Sequence, residues 1–286
     1  MKKASFVDFI HKLETNSRES VQLTSIITNR TLNFGINGSP DFNDEIMILD
    51  KIFSPLQPNT QMQKGLDAMK IFLPRVPYEL FNRYSAIKRE LKLLEEQGIE
   101  TLVIGACGLS PLGLVFAQNP DLKVYDTDLE EIVFYRKGLE LKNSNYSLVP
   151  LDLLDKEQVE KFASSLPKGK SAMVVEGLTF YFDEEQREKL HNNLKLISKY
   201  QPSITFIFDY FVSDQPARKR DTVRDENNPA WSDFQQLIKN VHSEQKCFFK
   251  TRNDVIKYLV SEGFEDIKIS EFSDKSNAHT IFVARY

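Results

Sequence analysis

The residues most able to hold a ligand come in four short blocks, and the first is Leu102-Val103-Ile104-Gly105-Ala106-Cys107-Gly108-Leu109-Ser110-Pro111-Leu112-Gly113. An apolar run gives way to small residues, where a chain can turn tightly and let a ligand approach its backbone. A helix is then expected, with Ser110 as its N-cap and Pro111 in its first position. An α/β sheet builds a nucleotide site in this way, at the carboxyl edge of its first strand. The pyrophosphate fingerprint GxGxxG is absent, and an ordinary strand-to-helix turn packed with small residues is the competing account.

The second block, Val124-Tyr125-Asp126-Thr127-Asp128, puts Asp126 18 residues after Gly108. A carboxylate at that distance can accept hydrogen bonds from both ribose hydroxyls of an adenosine ligand. Asp126 or Asp128 could equally cap a helix. The third block, Leu151-Asp152-Leu153, offers a carboxylate to the amino group of an adenine, or else the N-cap of the next helix. The fourth runs from Met173-Val174-Val175 into Glu176-Gly177-Leu178-Thr179-Phe180-Tyr181-Phe182. An isolated buried carboxylate is costly, so an acid ending a buried apolar strand is expected to be paired or used. Four successive strands thus each deliver a small or acidic residue.

The elements that must position these blocks begin near Gly98. From there short β-like runs alternate with segments of helical period, the mark of a parallel sheet covered by helices. Seven strands are expected, at 101–105, 122–126, 147–150, 172–176, 204–209, 264–270 and 280–284. Asp183 with Gln186 makes a capping box ahead of Leu190, Leu194 and Ile197, which share one helical face. Thr251 with Asp254 caps a later helix that Gly263 closes. No helical segment separates the last two strands, which are therefore expected to pair antiparallel. A dinucleotide dehydrogenase would normally add another parallel strand instead.

Residues 1–97 read as a helical cap, with helices near 6–13, 20–32 and 44–53 and turn signals at Asn37-Gly38 and Ser39-Pro40. A longer helix carries the apolar stripe Leu80, Tyr84, Ile87, Leu91 and Leu94 until Gly98 ends it. The expected division is therefore 1–97 as cap and 98–286 as an α/β, Rossmann-like domain. The polar stretch at about 210–250, with Arg218, Lys219, Arg220, Arg224 and Trp231, reads as a second piece of lid inserted in that domain.

Bulk properties exclude several partners. Hydrophobic residues make up 41% of the 286 and charged ones 27%, a globular balance. The net charge is -4 and the pI about 5.7, with basic residues dispersed among acids, so nucleic acid is not an expected partner. The N-terminus lacks an apolar signal core, and no run approaches the ~18 apolar residues of a membrane span. Two cysteines, Cys107 and Cys247, make neither a disulfide framework nor a zinc motif, and a reducing cytoplasm is the expected location.

Taken in order, these blocks resemble the leucine carboxyl methyltransferase family, including its bacterial O-methyltransferase branch. The family shows a glycine-rich turn, an aromatic-acid-x-Asp-Leu block, Asp-Leu, and Glu-Gly-x-x-x-Tyr before a helix. Here these are Ala106-Cys107-Gly108-Leu109, Tyr125-Asp126-Thr127-Asp128-Leu129, Asp152-Leu153 and Glu176-Gly177-Leu178-Thr179-Phe180-Tyr181. The match covers residues 75–210. It implies a class I Rossmann-like fold with a seven-stranded sheet and an N-terminal helical cap, and S-adenosyl-L-methionine as cofactor. It implies cofactor contacts at Gly105, Ala106, Gly108, Asp126, Thr127, Asp152, Leu153, Glu176 and Gly177, and Arg83, in Phe81-Asn82-Arg83-Tyr84, as holder of the cofactor carboxylate. The family's Gly-x-Gly-x-Asp-Thr-Arg is replaced by Ala106-Cys107-Gly108-Leu109-Ser110-Pro111-Leu112, which loosens any transfer of the protein-carboxylate substrate. A small-molecule acceptor is expected in its place.

Methyl transfer from a sulfonium is an in-line displacement in which the protein aligns the nucleophile and excludes water. A hydroxyl acceptor needs a base, and a carboxylate does not. His242, in the lid stretch, is the base candidate, while His11 and His191 are expected to be solvated or structural. Tyr181 could orient the acceptor or simply pack. Cys107 lies inside the turn with no histidine beside it, and small size explains it. The basic run at Arg218, Lys219 and Arg220 is a solvated helix face or a greeting for an acidic substrate. Two other accounts stand: a binding protein that keeps the pocket without turnover, and a nicotinamide-dependent oxidoreductase.

Overall fold

The computed structural model describes residues 32, 36, 40–53, 64, 67–68, 71, 76–137, 144–212, 228–232, 249–273 and 279–286. The chain divides into two compact units, one of residues 1–81, 108–111 and 218–244, the other of 82–107, 112–217 and 245–286. In the first, a 3-10 turn (Pro40–Phe42) leads into α1 (Asn43–Phe53). Phe42 meets Phe81 edge to face, ring centroids 5.2 Å apart.

The second unit is built on seven strands: β1 (Thr101–Gly105), β2 (Lys123–Asp128), β3 (Tyr146–Pro150), β4 (Ser171–Val175), β5 (Ile204–Phe211), β6 (Glu265–Ile269) and β7 (His279–Arg285). They form one sheet in the order β3-β2-β1-β4-β5-β7-β6. β1 to β5 are mutually parallel, whereas β7 runs antiparallel to both β5 and β6. Fold class and strand count are as expected, and the antiparallel β7 stands where a dinucleotide dehydrogenase would place a parallel strand.

Each helix follows from local chemistry. α2 (Val76–Glu96) buries Tyr84, Ile87, Leu91 and Leu94 of the expected stripe and leaves Leu80 half-buried. One boundary between the two units falls between Phe81 and Asn82, within this helix. α5 (Lys156–Ser165) starts at Asp155, whose side chain caps the Gln158 amide. α6 (Glu184–Tyr200) carries the complete Asp183–Gln186 capping box and buries Leu190, Leu194 and Ile197. α7 (Arg252–Ser261) carries the Thr251–Asp254 box, and Gly263 at φ +88° ends it. Between these come α3 (Leu112–Phe116) and α4 (Glu130–Lys137). α3 begins one residue later than expected, after Pro111 rather than with it, and is only 5 residues long. Val103, Met173, Val175, Phe206 and Phe208 on one sheet face join Leu190, Leu194, Val255 and Leu259 in a continuous core.

Candidate functional site

Parallel strands open their carboxyl ends on one edge, and the sheet order makes the four blocks neighbours there. β3, β2, β1 and β4 lie side by side. Gly105 pairs with Thr127 on one flank and Val175 on the other, and Val175 pairs with Phe208. One residue beyond that row stand Asp128, Ala106, Glu176 and Asp209.

At the end of β1, Gly105 is closely packed: a Cβ there would lie 2.9 Å from the end of the Met173 side chain and 3.0 Å from that of Leu153. Ala106 and Gly108 both take φ +51°. That left-handed region is free to glycine and strained for alanine, so surrounding structure must hold Ala106 there. One clamp is the Cys107 amide, which donates to the Thr127 carbonyl at 2.9 Å. Thr127 itself is buried, and its hydroxyl donates to the Ile104 carbonyl at 3.2 Å, so it ties β2 to β1.

The two aspartates of β2 have different surroundings. Asp126 is fully buried, and its Oδ2 accepts from Arg136 at 2.6 Å and from the Tyr146 hydroxyl at 2.8 Å. Its Oδ1 lies against Gly113, where a Cβ would come within 1.9 Å. Burial pushes its carboxyl up from 3.8, while Arg136 and Tyr146 pull it down. Arg136 also reaches the Cys107 sulfur at 3.6 Å, and burial holds that thiol well above its ordinary range. Asp126 is thus enclosed by its own chain. Asp128, half-buried at the strand end, accepts from the Leu129 amide at 2.7 Å and is the acid of this block that reaches the edge.

On β3 the open choice at Asp152 narrows. The helix cap is Asp155, and Asp152 instead accepts from the Leu154 amide at 2.9 Å, which shapes the turn beyond the strand. Leu153 is buried in the core beside Gly105, and its carbonyl accepts from Asn193 at 2.8 Å.

β4 and β5 end in a charge cluster. Arg83 Nε donates to Glu176 Oε1 at 2.8 Å and Nη1 to Asp209 Oδ2 at 3.4 Å. Asp209 is fully buried, and its Oδ1 accepts from the Gly177 amide at 2.6 Å while His279 Nδ1 stands 3.1 Å from Oδ2. Gly177 takes φ +70°, and the Thr179 hydroxyl donates to the Asp209 carbonyl, so Asp209 anchors the whole loop after β4. Burial works against the Asp209 charge, yet Arg83, His279 and the Gly177 amide outweigh it and hold the carboxyl below 3.8. Burial raises the Glu176 carboxyl above 4.5, with Arg83 opposing. Arg83 also faces burial, which its two carboxylates overcome, and its pKa is raised. Its charge is shared between two acids of its own chain. Tyr181, half-buried in the 3-10 turn Thr179–Tyr181, packs on Phe180 with centroids 4.5 Å apart, and its phenol is near enough to Arg83 to act on its charge.

Asp209 and His279 were missed by sequence reasoning. The signal for Asp209 was present, an acid within the apolar run of β5, and the argument applied to Glu176 would have found it. His279 had none, because it is 70 residues distant in sequence from its partner. His242, the Arg218, Lys219 and Arg220 run and Cys247 lie outside the described residues. His191 is buried between the Tyr210 and Tyr258 hydroxyls, 3.0 Å from each, a structural role. Among the described residues no cluster of three or more His, Cys, Asp or Glu could hold a metal ion, and no helix is long and apolar enough to cross a membrane.

No protein-family model matches the chain, and no curated protein sequence matches it. Solved structures similar to it include a methyltransferase dependent on S-adenosylmethionine from Anabaena variabilis, at 15% identity over 68% of this chain and 82% of that one, with a TM-score of 0.48. Human N-acetylserotonin methyltransferase, in complex with S-adenosylmethionine, is similar at 11% identity over 89% and 69%, with a TM-score of 0.47. A structure described as an O-methyltransferase from Nostoc punctiforme is similar at 13% identity over 84% and 73%, with a TM-score of 0.46.

Proposed function

We propose that this chain is a class I methyltransferase of leucine carboxyl methyltransferase-like lineage, which uses S-adenosylmethionine to methylate a hydroxyl or carboxylate oxygen of a small molecule. The observation that carries the reading is the row at the sheet edge, where a strained turn at Ala106 stands between Asp128 at the end of β2 and Glu176 just beyond β4. The donor set fits the cofactor part by part. The backbone of Gly105 to Gly108 gives close approach, Asp128 suits the ribose hydroxyls, and Asp152 with Leu153 suits the adenine. When bound, the cofactor supplies a methyl group on a positively charged sulfur. The chain's residues then have to orient and dehydrate: Tyr181 is placed to steer an acceptor, and the Gly177 loop, fixed by Asp209, keeps Tyr181 and Glu176 in register.

Incubation of the purified protein with isotopically labelled S-adenosylmethionine and a panel of phenols and small carboxylic acids tests this reading. Labelled methyl product from at least one class is expected. Tight cofactor binding with no transfer to any acceptor would leave a binding protein in place of an enzyme.

A further inference from the structure

The cluster behind Glu176 contains an imbalance. Among the described residues one guanidinium, Arg83, serves two carboxylates, Glu176 and Asp209. Among the described residues Arg83 from α2 and His279 from β7 meet this pair, and Tyr181 in the loop after β4 acts on Arg83. Both Asp209 oxygens are taken, Oδ1 by the Gly177 amide and Oδ2 by Arg83 and His279. Glu176 uses Oε1 on Arg83, and Oε2 has no hydrogen-bond partner among the described residues. The side chain of Glu176 is 14% exposed, whereas that of Asp209 is 0% exposed. Glu176 is therefore the more accessible of the two carboxylates, and Asp209 is sealed.

We infer that the surplus negative charge of Glu176 and Asp209 makes this edge prefer a ligand with a cationic sulfur or its ammonium equivalent over the neutral thioether, and that Asp209 sets the preference. This rests on the methyl-donor reading above. With imidazole neutral, Arg83 cancels one carboxylate and the other charge remains. Desolvation strengthens its attraction for a cation a few ångströms away. S-adenosylmethionine and S-adenosylhomocysteine differ by one positive charge at sulfur, so such an edge favours the substrate form and releases the product form. Asp209 touches no ligand in this account. It acts by claiming half of Arg83, which otherwise would neutralise Glu176.

The test is calorimetric and needs no turnover. Sinefungin, whose ammonium replaces the methylated sulfonium, and S-adenosylhomocysteine are titrated at pH 8.5 into wild type, Asp209→Asn and Glu176→Gln, with thermal unfolding as a check on each fold. Wild type should bind sinefungin about tenfold more tightly than S-adenosylhomocysteine. The ratio should approach one in Asp209→Asn. If Asp209→Asn does not fold, Glu176→Gln, on the exposed side of the pair, should show the same loss. Equal affinities in wild type, or a preference that survives in folded Asp209→Asn or, where that variant does not fold, in Glu176→Gln, would overturn the inference while leaving the cofactor site intact. Failure of wild type to bind either ligand would instead overturn the methyl-donor reading, and this inference with it.

Discussion

Two clusters of buried charge lie near the same edge of the sheet, and they are built to opposite ends. Under β1 and β2, Asp126 and Arg136 form a one-to-one ion pair at 2.6 Å, closed by Tyr146 and by Gly113. Beyond β4 and β5, Arg83 is shared by two carboxylates, one of which, Glu176, is partly exposed. The first cluster is sealed and ties α4 to the turn after β1 through Arg136 and Cys107. The second is anchored on one side and open on the other. Burial and the number of partners thus distinguish two acids that the sequence presents alike.

The largest effect should come from opening the sealed pair. Arg136→Met leaves Asp126 buried and unpaired, at a cost of about 3–5 kcal/mol measured by urea unfolding. Adding Asp126→Asn to that background should recover part of the loss, because no buried charge is then alone. If Arg136→Met costs less than about 1 kcal/mol, the cluster is not the sealed pair described. Next comes Gly113→Ala. A Cβ 1.9 Å from Asp126 Oδ1 forces a shift in a side chain that is itself held on two sides, and a loss of about 1–3 kcal/mol is expected.

The open cluster makes a pH prediction of definite sign. Asp209 is held below 3.8 when folded, so it contributes stability above that pH and loses the contribution as the pH falls through its folded value. Glu176 is raised above 4.5 and acts in the opposite sense, favouring the fold at low pH and losing the contribution as the pH rises through its folded value. Urea midpoints between about pH 5 and pH 2 should therefore decline less steeply in Asp209→Asn than in wild type, and more steeply in Glu176→Gln. The smallest effect is outside both clusters. Thr251→Ala removes one half of a capping box from α7 and should cost about 1 kcal/mol, with no change in ligand affinity.

Much of the fold could be read in advance because it rests on local rules. Period and capping chemistry placed Asp183, Gln186, Thr251 and Gly263 at the helix ends where they stand, and the seven strands lie within a few residues of their expected spans. The site was legible only as far as the strand ends. Alternation along β2 puts Asp126 and Asp128 on the same face, so the pattern alone could not say which one α3 and α4 would cover. That choice depends on Gly113 and Arg136, which approach from separate helices. Arg83 illustrates the same limit. Its type suited a carboxylate ligand, but Asp209, 126 residues away, had claimed part of its charge.

The division between a sealed Asp126 and an outward Asp128 is tested most directly by calorimetric titration of S-adenosylhomocysteine into wild type, Asp128→Ala and Asp126→Asn. Wild type should bind. Asp128→Ala should lose about ten- to hundredfold in affinity with its fold intact, as expected for deleting a hydrogen-bond acceptor that carries charge. Asp126→Asn should unfold more easily yet bind nearly as wild type at temperatures where it remains folded. The reverse pattern, with affinity lost in Asp126→Asn and kept in Asp128→Ala, would contradict the account.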